Sequence, residues 1–139
     1  MAPAPPGPVV VTAGYSGKPL AEKLGLKPTM KAYVENAPDD LDLSGHPVVI
    51  RLPKEADCIL LFTKELKQLE KRFPTLIDRT VTNGMVWICW PKKASKVPTD
   101  LDENVVRDLG LELGVVDVKV CAVDEVWSGL KFVRRLRDR

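Results

Sequence analysis

The sequence predicts an α/β fold: a small three-layer sandwich whose mostly parallel sheet ends in an antiparallel hairpin. Three observations predict it. Cys58-Ile-Leu-Leu-Phe62 and Met85-Val-Trp-Ile-Cys-Trp90 are apolar at every position, as strands covered on both faces are. Each is followed by a stretch with helical spacing of apolar residues, and alternating strands and helices imply a parallel sheet with helices on its faces. In the last third, two further strand-like stretches flank the turn-rich Asp124-Glu-Val-Trp-Ser-Gly129, which reads as a hairpin.

Residues 1–13 hold four prolines within the first eight positions and read as a disordered Pro/Ala-rich tail. Residues 14–139 form the single domain. Pro19 suits the first turn of a helix over Leu20 to Leu24, and Gly25 suits its stop. Met30 to Glu35 is the first strand, closed by Asn36-Ala-Pro38. Residues 39–46 are acidic and turn-like, and Val48 to Leu52 is a short strand. After the strand 58–62, Thr63 is an N-cap candidate for a helix carrying Leu66, Leu69 and Phe73 inward, which Pro74 ends or kinks.

Asn83-Gly84 reads as a turn before the strand 85–90. Asp100 with Glu103 forms a capping box for a helix that buries Leu101, Val105, Val106 and Leu109 and stops at Gly110 or Gly114. Val116, Val118, Val120 and Ala122 then alternate with Asp117, Lys119 and Cys121, giving a half-exposed strand. Leu130 to Leu136 returns antiparallel to it. The two doubly covered strands belong side by side at the centre, which makes the fold Rossmann-like.

A chain of 139 residues with 45 % hydrophobic and 29 % charged composition supports one core without staples. Net charge is only +2, from 21 basic and 19 acidic residues, so whole-molecule charge gives no argument for nucleic acid or membrane. Cys58, Cys89 and Cys121 lie far apart in apolar runs, without the paired spacing of a zinc site, and read as core thiols in a reducing compartment. The start has no basic n-region, and no apolar stretch approaches the roughly 20 residues of a membrane helix. The expected location is the cytoplasm.

Several stretches carry a resemblance: Gly14-Tyr-Ser-Gly17, Pro19-Leu-Ala, Lys23-Leu-Gly-Leu-Lys-Pro28, Trp90-Pro-Lys-Lys-Ala-Ser95, Thr99-Asp-Leu101 and Trp127-Ser-Gly-Leu-Lys-Phe132. On these the chain, from Gly14 to Arg139, resembles the bacterial domain-of-unknown-function family 3052, which brings no catalytic residues with it. The order of elements is also similar to a class I methyltransferase with its middle shortened, residues 58–62, 64–73, 84–90, 102–113 and the hairpin matching that fold's C-terminal half. That fold's glycine-rich cofactor turn falls here at Glu35-Asn-Ala-Pro-Asp39, which has no glycine and a proline without an amide. Neither S-adenosylmethionine nor a nicotinamide dinucleotide is expected as cofactor.

Candidate chemistry gathers at the strand ends. Lys92, Lys93, Ser95 and Lys96 follow the strand ending at Trp90, and ligands of open parallel sheets bind beyond the carboxyl ends of strands. Lysines and a hydroxyl there suit a phosphate or carboxylate. Asp124, Trp127, Ser128 and Lys131 fall at the hairpin, where Trp127 offers a stacking surface and Asp124 an acceptor. The ligand site is therefore placed on Lys92, Lys93, Ser95, Asp124 and Trp127. Gly14-Tyr-Ser-Gly17 is either a small anion-binding nest or a helix-capping turn. His46, the one histidine, has no candidate nucleophile near it. Four arginines in Arg134-Arg-Leu-Arg-Asp-Arg139 fit phosphate contact or a charged, aggregation-resistant edge strand.

Three functions follow. The leading one is a non-catalytic module binding a small anionic ligand or a protein partner. The second is an enzyme of undefined reaction, a degenerate methyltransferase, using the strand-end cluster. The third is a nucleic-acid accessory protein using the C-terminal arginines.

Overall fold

The computed structural model describes residues 19–139; the expected tail and the Gly14-Tyr-Ser-Gly17 turn lie outside the described residues. The chain builds α1 (Leu20–Leu24), β1 (Ala32–Glu35), β2 (Val48–Val49), β3 (Ala56–Phe62), α2 (Leu66–Asp78), β4 (Thr80–Pro91), α3 (Glu103–Glu112), β5 (Val115–Ala122) and β6 (Trp127–Arg134). The six strands form one sheet in the order β2-β1-β3-β4-β6-β5. The first four run parallel, and β6 pairs antiparallel with both β4 and β5. This is the small Rossmann-like sandwich that the apolar runs predict.

Period-two alternation divides the core into two layers. Ile59, Leu61, Val86, Ile88 and Trp90 face α2 and α3, where Leu69, Phe73, Leu76 and Val106 cover them. Cys58, Leu60, Phe62, Met85, Trp87 and Cys89 face the other way, beneath Ala21 and Leu24 of α1 and Leu43 of the 36–47 loop. The second layer is therefore thin, with one five-residue helix and a loop. It is pinned by Trp87, whose indole Nε1–H donates to the Leu24 carbonyl at 3.1 Å. On the α2–α3 side of the sheet, the Phe73 and Phe132 rings meet edge-on with centroids 5.1 Å apart.

Several local expectations yield to tertiary packing. Helix α2 runs on past Pro74 to Asp78. Pro74 is exposed while Phe73 and Leu76 beside it are fully buried, and that burial outweighs the cost of one lost helical bond. Asn83-Gly84 is no turn but part of a bulge in β4, where five steps along β4 (Thr80 to Met85) oppose two along β3 (Ala56 to Cys58). Helix α3 is capped by Asp102, whose Oδ1 accepts from Val105 N at 2.8 Å. Asp100 instead reaches across to α2, accepting from Leu66 N at 2.8 Å. Thr63 does not cap α2; its N-cap is Glu65. β1 begins at Ala32 rather than Met30, and β2 is two residues long rather than five.

The C-terminal arginines are not on an edge strand. β6 lies inside the sheet and ends at Arg134, and the chain then turns into a short 3-10 helix at Leu136–Asp138. Arg134 Nη2 donates to the carbonyls of Ile77 (2.9 Å) and Thr80 (2.6 Å), and Arg135 Nη2 to that of Leu111 (3.2 Å). The two arginines thus tie the C-terminal end of the sheet to the last turns of α2 and α3 and to the start of β4.

All three cysteines are free and buried. Burial pushes the Cys58 thiol up to about 12, and it raises Cys89 and Cys121 as well. Since the thiolate is the reactive form, the native protein is expected to resist a disulfide reagent such as DTNB at pH 8 and to release three equivalents in denaturant. Rapid labelling of the native protein would contradict this burial. Among the described residues, no helix is long and apolar enough to cross a membrane.

Candidate functional site

The sheet order defines where a ligand belongs. From β1 the chain moves outward to β2, whereas from β3 it moves outward to β4 on the other side, so the connections diverge between the adjacent strands β1 and β3. Beyond the carboxyl ends of two such strands a crevice opens, and open α/β sheets bind ligands there. In this chain the crevice is a cleft of about 350 Å³ lined by Asn36, Phe62, Thr63, Lys64, Glu65, Gln68 and Trp127.

Each wall has a local origin. Asn36 follows β1 in the left-handed conformation, φ 58°, which asparagine tolerates better than most residues. Phe62 ends β3 and meets the Trp127 ring edge-to-face, with centroids 5.1 Å apart. Thr63 is buried; its hydroxyl lies in short contact with Gln68 Oε1, and its backbone N–H donates to Cys89 O at 3.0 Å. Trp127 opens β6, paired opposite Pro91. It is half-buried, while Trp87 and Trp90 are buried in the core.

The lysine loop and the hairpin converge. Lys92 N donates to Val126 O at 2.9 Å, so the two loops meet at the carboxyl edge of the central strands. Within the cluster, Lys92 is half-buried and Lys93 exposed. Ser95 Oγ is used locally, donating to Lys92 O at 2.7 Å and accepting from Val97 N. Asp124 Oδ1 is likewise used to fold the turn, accepting from Val126 N and Trp127 N at 2.8 Å each. Of the five expected site residues, Trp127 lines this cleft, while Asp124 lines a neighbouring one of about 380 Å³ with Asp40 and Asp42. Lys92, Lys93 and Ser95 are not among the residues lining either cleft and lie on the loop that Lys92 N joins to the hairpin. His46 lies elsewhere, with its ring nitrogens 2.8 and 3.0 Å from the Pro47 and Lys27 carbonyls.

Asn36, Phe62, Thr63 and Gln68 were not candidates in the sequence. The strand-end rule locates them once it is applied at the divergence of β1 and β3, rather than at the end of β4.

Beside the cleft, Arg72 of α2 clasps the Glu35 carboxylate through Nε (2.6 Å) and Nη2 (2.7 Å), and the Tyr33 hydroxyl donates to Glu35 Oε1 at 2.9 Å. The Arg72 hydrogen bonds hold the Glu35 carboxyl below its usual range, against the opposing effect of burial. A depressed carboxyl contributes stability that is present above its unfolded value, near pH 4.3, and is lost as pH falls through the folded value. Glu35→Gln is therefore expected to cost about 1 kcal/mol at pH 7. In urea titrations, its deficit against wild type should shrink as pH drops below about 4. A deficit constant from pH 7 to pH 3 would contradict this ion pair.

No protein-family model matches the chain, and no curated protein matches its sequence. Solved structures do resemble it. TnmH gives a TM-score of 0.52 at 15% identity, with 84% of this chain and 46% of that chain covered. The N-methyltransferase NodS from Bradyrhizobium japonicum WM9 gives 0.50 at 12% identity, covering 82% and 79%. Magnesium protoporphyrin IX methyltransferase (ChlM) from Synechocystis PCC 6803 gives 0.46 at 10% identity, covering 64% and 50%. The chain thus spans about half the length of ChlM and of TnmH. At these identities the likeness is one of fold: the domain has a methyltransferase-like Rossmann architecture.

Proposed function

We propose that this chain, whose tryptophan-centred motifs resemble those of the bacterial family 3052, is a non-catalytic binding module on a methyltransferase-like scaffold. Its ligand is a small anion with a flat or apolar part, held in the cleft between the ends of β1 and β3. Trp127 and Phe62 lie against the flat part, and the Lys92-Lys93 loop supplies positive charge at the rim. The observation that carries the reading is the position of this aromatic-walled cleft, where the strand connections diverge. Binding rather than catalysis is favoured by the polar groups of the cleft being tied to one another, the Thr63 hydroxyl to Gln68 and to the Glu65 backbone.

A thermal-shift panel of anionic metabolites tests this. A ligand at 100 times its dissociation constant stabilises the fold by about 2.7 kcal/mol, which raises the melting temperature by several degrees. Lys92→Ala/Lys93→Ala should abolish the shift while leaving the unliganded melting point nearly unchanged. If no anion stabilises the protein, the same edge is better read as a surface for a protein partner.

Methyl transfer is the second reading, favoured by the fold likeness to NodS. Against it, no helix forms between β1 and β2, and Pro38 removes a backbone amide from the turn that would cradle a cofactor. Calorimetry with S-adenosylmethionine and with a nicotinamide dinucleotide is expected to show no measurable binding. Micromolar affinity for the former would replace the first reading with the second.

A further inference from the structure

The cleft beside Trp127 does not end at Gln68. A second hollow of about 470 Å³ continues from it along α2, and Asn36, Glu65 and Gln68 line both. The two form one elongated groove with unlike ends. One end is aromatic, closed by Phe62 and Trp127. The other runs past Lys67, Lys71 and the Arg72–Glu35 pair.

Charge decides what the far end takes. Arg72 and Glu35 neutralise each other through two hydrogen bonds. That leaves Lys64, Lys67 and Lys71 against Glu65 along the groove, a positive excess. A separate cleft, lined by Asp40, Asp42 and Asp124, has three carboxylates and no basic residue among the described residues. An acidic group on a ligand stacked at Trp127 is repelled from that cleft and drawn along α2.

We infer that the groove binds an elongated aromatic anion, its ring at Trp127 and its phosphate or carboxylate between Lys67 and Lys71. This rests on the cleft being the ligand site, and it adds a direction and an anion contact that the Lys92-Lys93 loop does not supply. Exposed lysines on a helix are flexible donors that suit a phosphate as point charges. The ring end gives affinity through stacking and area.

Two-dimensional ¹H–¹⁵N NMR of the full chain tests the inference, with 4-phenylbutyl phosphate and indole-3-butyrate as probes and 4-phenylbutanol and indole as neutral controls. Both anions should shift the Trp127 indole N–H, the Gln68 side-chain amide and the Lys67 and Lys71 backbone amides. The neutral rings should shift Trp127 alone. Lys67→Gln/Lys71→Gln alters exposed side chains only, so the fold is kept, and it should weaken both anions by about tenfold. Anions that bind no better than neutral rings would overturn the inference while leaving the cleft reading in place. So would anion binding that survives in this variant but is lost in Lys92→Ala/Lys93→Ala. If no probe moves the Trp127 resonance, the cleft reading falls and the inference with it.

Discussion

Replacing Trp87 with alanine is expected to remove about 3–5 kcal/mol of stability, a large share of the roughly 5–15 kcal/mol a domain has. The indole is fully buried at the centre of the sheet, packed beneath α1. Its removal leaves a cavity that the thin second layer has few side chains to refill. It also strips the Leu24 carbonyl of its indole donor, and an unpartnered buried acceptor costs about 1–3 kcal/mol. Trp87→Phe narrows the comparison, since it loses the N–H but only part of the ring volume that alanine loses. Urea denaturation should place wild type, the phenylalanine variant and the alanine variant in descending order. A Trp87→Phe variant as stable as wild type would show that the bond to Leu24 does not anchor α1.

Substituting Gly110 should be nearly as damaging, and in the direction opposite to helix propensity. In an exposed helix, glycine to alanine gains about 1 kcal/mol. Here a Cβ on Gly110 would sit 2.1 Å from Cε1 and 2.7 Å from Cδ1 of Phe132. Phe132 is fully buried and its ring is braced by Phe73, so it has little room to withdraw. Gly110→Ala is expected to lose about 1–3 kcal/mol through overpacking, and Gly110→Val more. Phe132→Leu should recover part of that loss in the Gly110→Ala background, giving a positive coupling in a double-mutant cycle. A Gly110→Ala variant that melts above wild type would mean that α3 does not pack this closely on β6.

The parts of the fold legible in the sequence are those whose signal is local. Cys58 to Phe62 and Met85 to Trp90 announce central strands because burial on both faces leaves no polar position. The hairpin is announced by alternation on either side of Asp124 to Gly129. Elements fixed by distant partners were not legible. Asp100 carries a capping pattern for α3, yet it caps α2 from 34 positions away. Pro74 reads as an end or a kink of the helix, and the burial of Phe73 and Leu76 carries α2 through it to Asp78. The arginines after Val133 look like a charged edge strand, because nothing local tells that Arg134 and Arg135 reach the Ile77, Thr80 and Leu111 carbonyls.

The site divides in the same way. That the Lys92 and Trp127 loops meet follows from strand direction alone, and the bond from Lys92 N to Val126 O realises it. Asn36, Thr63 and Gln68 were out of reach, because nothing local tells that β1 lies beside β3 rather than at an edge. Ser95 and Asp124 have the right chemistry for ligand contact, but the nearest backbone groups claim it first.

The most direct test of the central claim is a crystal structure of the wild-type protein with the anion that most raises its melting temperature. Density for that molecule is expected between Asn36, Phe62, Gln68 and Trp127, with its flat part against the Trp127 ring. Density at any other surface, with this cleft filled only by solvent, would contradict it.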